Sequence, residues 1–322
     1  MPPIFAHHRR RILTAALGAL AAPVTARGSD YPSRPLTLIV PFGPGGGNDV
    51  TARTLGQFLE KVLGQPIVVQ NRPGAGGEVG INAVADARPD GYTFGILNTP
   101  GLVTIPIERQ PRWSLDSFAF VAGLVEDPGT IAVHPDSGIT TVAQLVAAAR
   151  REDGFTIAAQ GRGSTSFLSV RMLEQVAGVR FEPVIYPSLP QCVLALGQKE
   201  VRGAAANLGE GQVMAEGRPW RLVGVMAETR SPLAPEVPTF REQGCDVTIG
   251  SLRGFVGPRG VPEEISARLG SAIATIFADP EFLALARRTQ QPLRLLDQTA
   301  YARHLLDADR TFRALWAARP WL

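Results

Sequence analysis

The residues best placed to do chemistry in this 322-residue chain are glycines and hydroxyls gathered in two short loops. The first is Pro41-Phe42-Gly43-Pro44-Gly45-Gly46-Gly47-Asn48-Asp49, which follows the apolar, β-rich run Leu36 to Val40. The second is Gly161-Arg162-Gly163-Ser164-Thr165-Ser166, which follows Phe155 to Ala159. In each, a strand feeds a turn that opens a helix, so backbone N–H groups and the positive end of a helix dipole point the same way, an arrangement suited to an anion. The first loop lacks the Gly-Lys-Ser/Thr of a phosphate-binding loop, and Asn48 breaks the Gly-x-Gly-x-x-Gly register that a dinucleotide needs. Taken alone, its glycines fit a tight strand-to-helix turn equally well. The second loop, in the other half of the chain, tips the reading toward an anion site shared across a cleft at the carboxyl edges of two sheets.

Catalysis and metal binding fit less well. Beyond residue 26 only His134 and His304 remain, and Ser164 and Ser166 sit in no Gly-x-Ser-x-Gly elbow. No two Cys or His residues have ligand spacing, so neither a metal nor a cofactor is expected. The acids Asp86, Asp90, Asp116, Asp127 and Asp136 lie next to turns, where capping is their ordinary use.

The elements that must position the loops alternate. Asn48 or Asp49 can cap a helix whose apolar stripe is Leu55, Phe58, Leu59 and Val62, with Gly64 as its stop. Strands are expected at Ile67 to Val69 and Tyr92 to Leu97, flanking a helix over about Gly80 to Ala87. A second series follows: a strand at Ile131 to Val133, a helix carrying Val142, Leu145, Val146 and Ala149, a strand at Phe155 to Ala159, and a helix carrying Leu168, Met172 and Val176. Further strands are expected at Phe181 to Tyr186, Val201 to Ala206 and Arg221 to Met226, with a β-like stretch reaching Phe255 and Val256. From Pro262 the chain turns helical, with one stripe of Ile265, Leu269, Ile273 and Ile276, a short helix opened by Pro280, and a last one carrying Tyr301, Leu305, Phe312 and Trp316. Such βαβα alternation predicts an α/β fold of mostly parallel sheets flanked by helices. With no low-complexity linker, structured segments near residues 121–130 and 247–258 must make any crossing between domains.

The N-terminus reads as an export signal: Arg9, Arg10 and Arg11, an apolar run from Ile12 to Ala22, then small residues up to Ala26. The run is about 11 residues, short of the roughly 20 that a membrane-spanning helix needs. The paired arginines leave the export route open. Three of the 32 basic side chains lie in this segment and no acids do, so 29 basic residues face 29 acidic ones in the mature chain. A near-neutral chain without a basic run argues against nucleic acid as a partner. Cys192 and Cys245 would meet an oxidising compartment, where pairing and simple burial are both open.

At this point the residues resemble a known family, the periplasmic solute-binding proteins of tripartite tricarboxylate transporters, the Bordetella uptake gene type. The resemblance is carried along nearly the whole chain by Tyr31-Pro32-Ser33-Arg34-Pro35, Ile39-Val40-Pro41-Phe42 with Pro44-Gly45-Gly46, and Asn71-Arg72-Pro73-Gly74-Ala75-Gly76-Gly77. Pro89-Asp90-Gly91-Tyr92-Thr93, Gly161 to Ser166, Arg230-Ser231-Pro232 with Val237-Pro238-Thr239, and Ala278-Asp279-Pro280 continue it in order. The resemblance implies a two-domain, type II periplasmic-binding-protein-like fold joined by crossing strands. Its domains would be 27–126 plus 250–322 and 127–249, after a signal peptide over 1–26, and they would close on a small carboxylate.

By matching position, the resemblance places ligand contacts on Phe42, Gly43, Gly46 and Thr99 from the first domain, and on Gly163, Ser164, Thr165, Tyr186 and Asn207 from the second. Asp49 reads as a helix cap rather than a ligand. The expected partners are a small carboxylate and the integral membrane subunits of a tripartite transporter, with the protein itself monomeric, periplasmic and not an enzyme. Three departures stand out. Pro187-Ser188 follows Tyr186 where the family has Lys-Gly, Ala206 stands where many relatives carry an acid that could receive a ligand ammonium, and Gly209-Glu210-Gly211 is atypical. The missing acid favours a plain mono- or dicarboxylate over an amino acid. Two other functions stay open: an exported sensor feeding a signalling receptor, and an α/β enzyme with Ser164 or Ser166 as nucleophile and a histidine as base.

Overall fold

The computed structural model describes residues 31–151 and 154–321; the expected signal peptide lies outside them. In chain order the elements are β1 (Leu36–Val40), α1 (Gly47–Leu63), β2 (Ile67–Asn71), α2 (Glu78–Ala85), β3 (Thr93–Asn98), α3 (Gly101–Glu108), β4 (Phe118–Val133), α4 (Val142–Arg151), β5 (Thr156–Ala159) and α5 (Thr165–Ala177). Then come β6 (Glu182–Ile185), α6 (Leu189–Gly197), β7 (Gly203–Asn207), α7 (Leu208–Ala215), β8 (Arg221–Met226), β9 (Gly250–Pro258), α8 (Glu263–Phe277), α9 (Pro280–Arg288), β10 (Leu293–Leu296) and α10 (Gln298–Ala318).

The strands form one mixed, α/β-type sheet in the order β2-β1-β3-β9-β4-β7-β5-β6, with β8 and β10 also on β4. β1 pairs in parallel with β2 and β3, and β5 in parallel with β6 and β7, so each half keeps the parallel pairing expected of βαβ units. The long β4 joins the halves. Its first part runs antiparallel to β9 and its last part antiparallel to β7 and β8. Residues 121–130, expected to lie at a crossing, fall inside it.

Each half buries its own apolar set. Ile39, Ile81, Val84, Leu97, Leu252 and Val256 pack together in the first, and Ile131, Leu145, Phe155, Ile157, Phe167 and Leu173 in the second. The last helix serves both: Tyr301 and Leu305 of α10 pack in the first set, Phe312 and Leu315 in the second. Two stripe positions differ from the sequence reading. Val62 and Val176 are exposed, each in the last turn of its helix, α1 and α5. Both helices end where glycine permits a left-handed residue, Gly64 at φ 68° and Gly178 at φ 62°. Cys192 and Cys245 are buried free thiols, and burial pushes the Cys192 thiol up to about 12, so it behaves as a small apolar side chain.

Candidate functional site

The residues expected to touch ligand all lie just past the carboxyl ends of parallel strands. Phe42, Gly43 and Gly46 follow β1, Thr99 follows β3, Gly163 to Thr165 follow β5, Tyr186 follows β6, and Asn207 ends β7. This is the edge at which open α/β sheets receive ligands.

The first loop runs from Pro41 to the start of α1 with Gly43 to Gly46 exposed. The helix begins at Gly47, and its N-cap is Gly46, which offers no side-chain bond to the first-turn N–H groups. Sequence reasoning put the cap on Asn48 or Asp49, but both lie inside the first turn and are turned inward. Asn48 donates its amide to the Ile96 carbonyl and to Asn98 Oδ1, each at 3.1 Å. Asp49 reaches back to accept the Gly45 N–H at 2.9 Å, and it also receives Asn71 Nδ2 at 2.9 Å and Arg53 Nε at 3.0 Å. Burial alone would raise its carboxyl, yet the bonds from Arg53, Gly45 and Asn71 outweigh burial and hold it below the usual carboxylate range. The loop is pinned from behind. Asn71 Nδ2 also holds the Phe42 carbonyl at 3.0 Å.

The second loop carries its own cap. Ser164 is the N-cap of α5, and its Oγ accepts the Phe167 N–H at 3.3 Å and shares a bond with Ser166 Oγ at 3.0 Å. Ser166 Oγ in turn accepts the Gln160 N–H at 3.0 Å. Gly163 takes φ +76°, which only glycine adopts without strain, and a Cβ there would collide with Glu108 of α3. Thr104 Oγ1 of α3 contacts the Gly163 carbonyl at 3.4 Å, so the second loop rests on an element from the first half. Thr165 is buried behind its neighbours.

Thr99 is almost fully buried, and its Oγ1 accepts the Leu252 N–H at 3.0 Å, tying β3 to β9. Tyr186 is half-buried beside the apolar set around α6; burial first, and then the nearby Glu200, raise its phenol above its ordinary value. Asn207 sits at the N-cap of α7 with its Oδ1 buried and without a partner among the described residues.

A cluster that sequence reasoning missed joins these pieces. Arg253 of β9, 2% exposed, donates from Nη2 to Asp127 Oδ2 at 3.2 Å and to Glu210 Oε1 at 2.6 Å. Its Nε is buried without a partner among the described residues. Asp127, expected to cap a turn, instead lies within β4, fully buried, and also accepts the Gly209 N–H at 2.8 Å. Burial above all, opposed by Arg253 and reinforced by the Glu210 charge, pushes the Asp127 carboxyl up to about 6. The cluster lies against the first loop, because a Cβ on Gly47 would overlap Glu210 Oε1 and the Arg253 guanidinium. One signal was available in the sequence. Arg253 is a lone cation within the apolar run Leu252 to Val256, and a charge in a buried strand must find a partner.

The Arg230-Ser231 motif lies elsewhere. Arg230 pairs with Glu242 at 3.0 Å, and Ser231 Oγ accepts the Leu233 N–H at 3.2 Å. Both line a concavity of about 440 Å³, together with His304 and Arg294, whose lining includes no residue of either loop.

A family model described as the tripartite tricarboxylate transporter family receptor matches residues 51–310. A UPF0065 protein of Bordetella bronchiseptica is 34% identical over 274 residues, covering 84% of this chain and 81% of its own length. Among solved structures, a TctC solute-binding protein from Polaromonas without ligand matches at TM-score 0.77 and 28% identity, over 89% of this chain and 99% of that one. An R. palustris protein with adipate matches at TM-score 0.80 and 26% identity, over 89% and 98% of the two chains. The MatC protein of Rhodopseudomonas palustris with bound malate matches at 0.76 and 25%, over 88% and 99%.

Proposed function

The chain belongs to the tripartite tricarboxylate transporter receptor family and has its periplasmic solute-binding fold, and from that premise we propose that it captures a small carboxylate outside the cytoplasm and hands it to the membrane subunits of such a transporter. The observation that carries the reading is the start of α1. Its N-cap is a bare glycine, so its first-turn N–H groups keep their capacity for an anion, and they stand at the sheet edge where ligands bind. Relatives of this fold that hold adipate and malate support a carboxylate as that anion.

In this reading about four charge-assisted hydrogen bonds, each contributing roughly 1.5 to 3 kcal/mol, hold one carboxylate. Against an ordering cost of at least about 4 kcal/mol, they bring micromolar affinity, near −8 kcal/mol, within reach. Residues 27–126 with 250–322 would form one lobe and residues 127–249 the other, with β4 and β9 between them. A ligand touching both lobes only when they meet shifts the population toward the closed form, which docks on the membrane subunits. Residues 1–26 would direct export. The ligand would leave unchanged: Ser164 Oγ is engaged by Ser166 and the Phe167 N–H, His134 Nδ1 accepts the Asp136 N–H, and His304 lines the separate concavity.

A thermal-shift and calorimetric series of mono-, di- and amino-carboxylates on the processed protein tests this. Dicarboxylates such as malate or adipate should stabilise it by about 2.7 kcal/mol at a hundredfold excess over Kd, and should be recovered intact. No shift with any carboxylate at millimolar concentration would sink the proposal.

A further inference from the structure

We propose that Arg253 is a cationic receptor for the ligand's carboxylate at the start of α1, and that Glu210 holds that place as a tethered stand-in which the ligand expels. The inference rests on the carboxylate-binding reading above and adds a charged side chain to its backbone donors.

The geometry of Gly47 places the parts. A Cβ on this residue would meet both Glu210 Oε1 and the Arg253 guanidinium, so the glutamate oxygen and the cation lie together on the first residue of the uncapped helix. A carboxylate oxygen is therefore already bound to a guanidinium, and it lies beside a helix start that would also favour one. Arg253 also has donors to spare. Both of its recorded ion pairs use Nη2, and the buried Nε has no partner among the described residues, whereas a guanidinium can present a fork of two N–H groups to one carboxylate.

Its two acidic partners are not equivalent. The Asp127 side chain is 1% exposed, takes the Gly209 N–H as well, and cannot leave without stranding a charge in the core. The Glu210 side chain is 27% exposed and its carboxylate makes no other ion pair among the described residues, so it can return to water. Charge decides how a ligand enters. Two carboxylates already surround one guanidinium, and a third added to them would be repelled, while one that replaces Glu210 leaves the local charge unchanged. The upward push on Asp127, to which Glu210 contributes, agrees with a site already crowded with negative charge.

Exchange also sets selectivity. A tethered carboxylate competes at an effective concentration of about millimolar or more. A ligand with a single carboxylate and no other hold, such as acetate, loses that contest, and one with a second polar group elsewhere in the cleft wins it.

Calorimetry of wild type, Glu210→Gln and Arg253→Lys with malate, adipate and acetate tests the assignment. If Glu210 holds Arg253 in nine-tenths of molecules, Glu210→Gln binds the dicarboxylates about ten-fold more tightly and gains measurable acetate binding. Arg253→Lys, which keeps the charge but loses the fork, should bind about ten-fold more weakly; the half-exposed Glu210→Gln variant keeps the test decisive should Arg253→Lys fail to fold. Unchanged or weaker binding by Glu210→Gln, with wild type binding normally, overturns it and leaves Glu210 as a fixed clasp, the carboxylate function intact. No carboxylate binding by either protein overturns the function itself and this inference with it.

Discussion

The two helix starts share one sequence grammar, a strand, a glycine turn and a helix, yet the structure uses them differently. At α1 the cap is Gly46, no side chain among the described residues answers the first-turn N–H groups, and charged residues from β9 and α7 lie against Gly47. At α5 the cap is Ser164, which answers the Phe167 N–H, and Ser166 closes the loop on itself through Gln160. A single capping residue therefore separates a helix start whose N-cap side chain answers no first-turn N–H from one in which a single N–H, that of Phe167, is answered. In the proposed reading the first loop would supply binding energy, while the second is held against α3 through Gly163.

The most severe test of that asymmetry is Gly47→Ala. The residue is outside the left-handed region, so alanine fits its backbone, and the cost comes from overlap with Arg253 and Glu210. We expect about 1–3 kcal/mol of destabilisation from overpacking. Displacing the guanidinium and the helix start together should remove two charge-assisted bonds, about a hundred-fold in affinity by calorimetry. A Gly47→Ala protein that bound like wild type would show that the first loop carries no special share. Next comes Asp49→Ala, which frees the Gly45 N–H, Asn71 and Arg53 at once. We expect a loss of roughly 2–3 kcal/mol in stability by denaturant titration and about ten-fold in affinity, since the loop keeps its sequence but loses its anchor. Because the folded Asp49 carboxyl titrates below its unfolded value near 3.9, its contribution is complete above about pH 4 and fades as pH falls through the folded value. Wild type and Asp49→Ala should therefore converge in stability in acid.

Much of this was legible in the sequence, for reasons that differ by element. β1, β8, α8 and α9 announce themselves through apolar runs and periodicity bounded by Pro or Gly, and the boundaries of β1 and β8 fall where the sequence reading put them. The reading passed over α3, α6, α7 and β10. Pro106 lies inside α3, Pro190 opens α6, Gly209 and Gly211 interrupt α7, and β10 is a short strand with mixed exposure, so tertiary packing rather than propensity sustains them. β4 hid differently. Only its last residues read as a strand, because Asp127-Pro128-Gly129 looks like a turn, and the antiparallel partners on both sides keep it extended through that point. The same misreading concealed the charged cluster. Asp127 looks like a turn cap until β4 is seen to pass through it, and then a cationic partner such as Arg253 must follow, since a carboxylate there cannot stay buried alone.

The gentlest test concerns Ser164, which the family resemblance places among the ligand contacts. In the structure its hydroxyl already accepts the Phe167 N–H and meets Ser166 Oγ, so a ligand reaching it would have to share an occupied group. Removing the hydroxyl in Ser164→Ala deletes an N-cap, and the expected cost is about 1 kcal/mol in stability, read as a drop of a few degrees in Tm. The Ser166 hydroxyl, still anchored to the Gln160 N–H, keeps the loop in place, so dicarboxylate affinity should fall by less than about three-fold, below 1 kcal/mol. The ratio between this variant and Gly47→Ala is the informative quantity. Should Ser164→Ala lose as much affinity as Gly47→Ala while its Tm stays near wild type, the hydroxyl is a direct ligand contact. The two loops would then grip the carboxylate as equals, and capping would no longer be what tells them apart.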